Sequence, residues 1–151
     1  MNDEESAQNI IKGKRLIAVA WQSTAFLMLV LLGGVVRPEL FGVVVVIVSV
    51  VMFGLGVLLL VLAFALGLRR SRVEQVSISG LFLLQGSSPS FVRKVLIGSV
   101  LTQLAAAFTA AGLRIYTELA FGILAPMFVF GLASFWASRY GSFPPRTSDP
   151  V

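Results

Sequence analysis

The sequence predicts an all-α membrane protein: a four-helix transmembrane bundle, both termini cytoplasmic, with a short interfacial segment between helices 2 and 3. Three observations predict it. Hydrophobic residues make up 57% of the 151-residue chain and charged residues only 13%, where soluble chains average about 45–50% and about 25%. The remaining charges gather at a few points, with four long uncharged runs between them. Basic residues, finally, are dense in alternate loops and sparse in the others.

The uncharged runs cover residues 16–36, 40–68, 95–113 and 119–138. About 20 apolar residues in helical form cross the hydrocarbon core, so each run meets or nearly meets the length of a span. The first, LIAVAWQSTAFLMLVLLGGVV, is too long for the apolar part of a signal peptide. Its end lacks a small-residue cleavage pattern, so it reads as a retained span. The second exceeds the required length and must tilt, bend or emerge into the interface. Gly54 and Gly56 offer a place to bend. The third helix is expected to begin near Pro89, with Ser88 as its N-cap and the proline at its first helical position. The whole reads as one transmembrane domain over 15–141, with spans at about 16–36, 40–68, 89–113 and 117–138. Tails 1–14 and 142–151 flank it.

Orientation follows from the basic residues of short loops, which stay on the cytoplasmic side. Lys12, Lys14 and Arg15 precede span 1; Arg69, Arg70, Arg72, Arg93 and Lys94 separate spans 2 and 3; Arg139 and Arg146 follow span 4. Ten of the twelve basic residues thus share one side, leaving Arg37 and Arg114 on the other. A pI near 10.5 would point to nucleic acid in a soluble protein. Here the same charge sets topology, and no nucleic-acid partner is expected. On the far side, Arg37 lies near Glu39, and Arg114 stands four residues before Glu118, a spacing that pairs in a helix. Loops this short are expected to carry no extracytoplasmic site.

Between spans 2 and 3 lies VSISGLFLL, residues 76–84, about half a span long and uncharged. Val76, Ile78, Leu81, Phe82, Leu83 and Leu84 are its apolar side chains. Two placements cover them. The segment lies along the interface, its basic flanks against anionic lipid of the cytoplasmic leaflet, or it folds back under the bundle and plugs its mouth. Docking of a partner protein is compatible with either.

Within the spans, packing signals are few. Gly98, Thr102, Ala106 and Ala110 recur every four residues, with Ser99, Ala107 and Ala111 beside them. Small residues at this spacing let backbones approach, so the third span is expected to be the most enclosed. Gln22 and Gln103 sit at similar depth and are expected to pair across helices, satisfying both amides. Lining a polar path is the alternative. At an offset of 80, Leu16/Leu96, Ile17/Ile97, Phe41/Phe121 and Gly42/Gly122 coincide. Both duplication and chance account for this.

The chemistry is defined by what is missing. The chain has no cysteine and no histidine, which removes thiol nucleophiles, imidazole bases and the commonest zinc ligands. No phosphate-binding glycine loop or nucleophile elbow occurs; GSSPS reads as a turn and helix start. No cofactor, metal or catalytic residue is expected. No ionisable residue falls inside the uncharged core of a span, 16–36, 40–68, 95–113 or 119–138, and proton coupling usually needs one.

The run LAFGILAPMFVFGLASFWASRYGSFPPR, with its Pro126–Met127 pair, tryptophan end and closing FPPR, resembles a family of small uncharacterised four-span membrane proteins of actinobacteria. GLFLLQGSSP is similar to their central loop. The likeness covers about half of the chain. It implies a multi-pass protein of a bacterial plasma membrane, with no activity to carry over. The expectation is therefore a non-enzymatic accessory or scaffolding component of the envelope, meeting a membrane-protein partner or further copies of itself. The rival is a small oligomeric channel, transporter or lipid flippase that is not proton-coupled, with a path through Gln22, Thr102 and Gln103.

Overall fold

The computed structural model describes residues 3–144 except 73 and 76, with side chains from residue 13 onward. Helix α1 runs Asp3–Val36, α2 Pro38–Arg70, α3 Ile78–Phe82, α4 Ser90–Leu113 and α5 Pro126–Tyr140, with a 3₁₀ helix at Glu118–Leu124 between α4 and α5. Four stretches are long and apolar enough to span a membrane: Gly13–Val36, Pro38–Arg70, Ser90–Leu113 and Glu118–Tyr140. The protein is a four-helix membrane bundle.

Each element has a local cause. Pro38 starts α2, where its missing N–H costs nothing and its ring presets the helical φ. At 33 residues, α2 is about 50 Å long and outruns a hydrocarbon core of about 30 Å. Arg69 and Arg70 lie in the last turn of α2. The fourth span is not the uniform helix that hydropathy implies. Pro126 has no N–H to give the Gly122 carbonyl; Ala125 N–H donates to it instead, at 3.1 Å. The chain before the proline is thereby wound as 3₁₀, and the α-helix begins only at Pro126. The start of α4 also differs from expectation. Pro89 is its N-cap, and the Ser88 hydroxyl donates to the Leu84 carbonyl rather than capping the helix.

Packing closes a ring in the order α1, α2, α5, α4, and α1 also touches α5 across it. Helix α5 meets all four other helices. Its span is the enclosed one: 56% of its most apolar window is buried, against 28% for α4 and 22% for α2. The expectation that the third span is the most surrounded is therefore corrected.

The reason is where the small residues lie. Gly56 of α2 faces Met127 and Gly131 of α5 so closely that a Cβ on Gly56 would overlap the Met127 carbonyl, and one on Gly131 the Gly56 carbonyl. α2 runs as one helix through this point; Gly56 makes a close backbone contact, while Gly54 faces open space. The Gly98, Thr102, Ala106 and Ala110 ladder buries only its last member. The enclosed face of α4 is instead Val92, Leu96, Ser99, Gln103, Ala107 and Ala110, repeating by fours and threes as interhelix seams do.

Two apolar clusters fill the interior. Toward the basic end, Ala20, Leu96, Val129, Ala133 and Trp136 pack together with Leu84. Toward the other end, Leu27, Leu31, Val45, Met52, Ala107 and Leu119 do so. The exposed apolar side chains of α2, such as Leu40, Val43, Ile47, Leu58 and Val61, form the surface that a bilayer covers.

Candidate functional site

The features that carry chemistry cluster at the basic end, where the described residues of 71–89, together with 141–144, form a cap. Arg70 organises this cap. Its guanidinium forms an ion pair with Glu74 at 2.8 Å, and Nε donates to Oε2 at 2.9 Å. Nη1 donates to the carbonyls of Ser138 and Gly141 at 3.1 and 2.9 Å, the orphan acceptors at the end of α5. The Phe143 ring lies 5.2 Å from the guanidinium carbon, within cation–π range. Arg70 is thus turned onto the protein, which corrects its grouping with the residues expected to face anionic lipid. Glu74, four residues on, was the signal available in the sequence; nothing there pointed to Ser138, Gly141 or Phe143.

Backbone bonds complete the cap. Gln75 N–H donates to the Pro144 carbonyl at 2.9 Å and Ser142 N–H to that of Ser87 at 3.0 Å. The buried Ser87 hydroxyl donates to the Gly80 carbonyl. Residues 77–84 lie inside this framework. Ser77 caps α3, accepting from Gly80 N–H at 3.0 Å. Leu81 is buried against Gly67 of α2. The Phe82 ring stacks on Phe130 of α5, centroids 6.3 Å apart and 16° between planes. Leu84 is wholly buried among Val92, Leu96 and Trp136, and it holds a left-handed φ of 53°. Ile78 and Leu83 remain exposed, and Val76 lies outside the described residues. Of the two placements left open, the fold-back one describes Leu81, Phe82 and Leu84.

The polar residues of the spans do not converge. Gln103 is buried and its Nε2 donates to Thr24 Oγ1 at 2.9 Å, while Gln22 is exposed. The expected Gln22–Gln103 pair is corrected: the partner is Thr24, two residues further, because two residues rotate a side chain by about 200° around a helix. Thr24 passes its own proton to the Ala20 carbonyl at 2.8 Å. Gln103 Oε1, Ser49 Oγ and Trp136 Nε1 are buried without hydrogen-bond partners. The half-buried Thr102 donates to the Gly98 carbonyl at 2.8 Å, within its own helix. At the far end, residues 114–117 are not helical. Arg114 donates to the Val35 carbonyl at 3.1 Å and satisfies the end of α1; the helix that would have set it against Glu118 is not formed.

No group of three or more metal-binding side chains occurs among the described residues. The cap brings together one ion pair, two aromatic contacts and several serine hydroxyls bonded to carbonyls. This arrangement fastens chain segments to one another. No family model, curated protein or solved structure matches the chain.

Proposed function

We propose that the protein is a non-enzymatic accessory or scaffolding component of a bacterial plasma membrane, acting by contact with another protein of that membrane. The observation that carries this reading is the disposition of the span's polar residues. Gln22 is exposed, Thr102 bonds to its own helix and Gln103 is held by Thr24. A solute path would need them to line one passage. The interior of the bundle instead holds fully buried apolar side chains, among them Leu27, Leu96, Val129 and Trp136.

The basic bias places both termini in the cytoplasm, and the likeness to small four-span actinobacterial proteins supports the compartment. The cap then faces the cytoplasm. Its exposed apolar side chains, Ile78 and Leu83, are where a partner gains most by covering it.

Affinity purification from native membranes in mild detergent tests the reading. The wild-type protein is expected to bring down another membrane or membrane-associated protein, and Ile78→Asp to lose it while the spans stay inserted. A protein that purifies alone and moves a solute across liposomes is instead a channel or flippase. Reporter fusions at Glu39 and Tyr116 should read as exported and one at Pro89 as cytoplasmic; an exported Pro89 fusion would overturn the orientation.

A further inference from the structure

A groove of about 510 Å³ opens at the basic end, between the first turns of α4 and the cap. Its lining changes character along its length. Arg93 and Lys94 stand at one end with Ser88 and Ser90, Leu84 and Gly86 close it from the cap, and Ile97, Gly98 and Leu101 line the other end. Arg93 and Lys94 are exposed, and neither side chain has an ion-pair or hydrogen-bond partner among the described residues. Ser88 has given its proton to the Leu84 carbonyl, so the hydroxyl left to donate into the groove is that of Ser90. A Cβ on Gly98 would meet nothing within 4 Å. The glycine therefore leaves a notch beside Ile97 and Leu101. From Lys94 to Leu101 is about 10 Å along the helix axis, directed from the charged boundary into the span.

We propose that this groove seats one anionic phospholipid, its phosphate against Arg93, Lys94 and the Ser90 hydroxyl and one acyl chain laid over Gly98 toward Leu101. The order of the lining selects this occupant. A free anion would use the two cations and leave the apolar half uncovered; an acyl chain alone would leave the cations unanswered. A phospholipid matches both halves in the order in which they enter the membrane. The rest of the basic end is different: Arg70 is committed to Glu74 and the end of α5, and Arg69 and Arg72 do not line this groove. The inference rests on the membrane bundle and is independent of the accessory reading.

Native mass spectrometry of the full chain in mild detergent, titrated with phosphatidylglycerol or phosphatidylcholine, tests it. One phosphatidylglycerol is expected to bind in preference to phosphatidylcholine. A cation near a membrane surface strengthens anionic-lipid binding about fivefold, so Arg93→Gln with Lys94→Gln should weaken it about 30-fold. Gly98→Leu fills open space, leaves the fold intact and should weaken phosphatidylglycerol binding by filling the chain's seat. Arg69→Gln with Arg72→Gln, which removes equal charge outside the groove, should leave binding within about twofold of wild type. Equal losses in the two double variants would reduce the effect to general surface charge and overturn the proposal. So would equal binding of the two lipids, or unchanged binding in Gly98→Leu.

Discussion

Gly56→Ala is the most exacting test of how this bundle is held together. The added Cβ would overlap the carbonyl carbon and oxygen of Met127, and the atoms it meets are backbone. A side chain would rotate away; a helix backbone must move as a body. Restoring ordinary contact requires α2 and α5 to separate by about 1 Å, and overpacking of this kind costs about 1–3 kcal/mol. Helix propensity works the other way, since alanine is favoured over glycine by about 0.8–1.0 kcal/mol. Gly54→Ala removes that ambiguity. It lies two residues away in the same helix and its Cβ would meet nothing within 4 Å, so it carries the same propensity gain without the clash. The difference between the two variants isolates the contact, and about 2 kcal/mol is the expected value, roughly a 30-fold change in the unfolding equilibrium. Reversible unfolding in mixed micelles of increasing denaturing detergent, followed by circular dichroism, measures both. Stabilities agreeing within about 0.5 kcal/mol would refute backbone contact at Gly56.

Two further outcomes follow from the same structure. Thr24→Val should destabilise more than Gln103→Leu, because the first removes two hydrogen bonds and leaves a whole buried amide unpartnered, whereas the second removes one bond together with an already orphaned Oε1. The pair itself is worth about 0.6 kcal/mol, and a double-mutant cycle in the same unfolding assay reads the coupling. Arg70→Gln should release the cap locally without unfolding the spans, since its four hydrogen bonds join Glu74, Ser138 and Gly141. Amide exchange at Gln75 and Ser142, whose N–H groups donate across the cap, should quicken by at least tenfold while that of α4 stays unchanged; an unchanged Gln75 would show that Arg70 does not hold the cap.

The number and order of the apolar helices were legible because hydropathy is a local property. A charge-free run of about 20 residues has one low-cost location whatever surrounds it. The 24 residues of Gly13–Val36 and the 23 of Glu118–Tyr140 needed no partner to be recognised. The apolar segment at residues 76–84 was legible as a misfit in water for the same reason. Its fold-back was not, because Leu81 finds its place only beside Gly67, and Phe82 only beside Phe130. Arg70 shows the same limit: its basic character put it at the membrane boundary, but Ser138 and Gly141 lie about 70 residues further along the chain.

Which face of each helix turns inward was decided by the tertiary structure alone. In water an apolar stripe marks the buried side of a helix. In a bilayer the surroundings are as apolar as leucine, so Leu58 facing outward and Leu96 facing inward look alike in sequence. The small-residue ladder of α4 obeyed the spacing rule and still left three of its four members only half-buried, while Gly56 and Gly131 found each other across 75 positions. Gln103 bonded to Thr24 and not to Gln22 because depth can be counted along a chain, whereas rotation about the helix axis is set by what it packs against. The sequence by itself determined what enters the membrane and how far it reaches; close contact between backbones determined which surfaces meet there, since shape, unlike hydropathy, exists only once the helices are side by side.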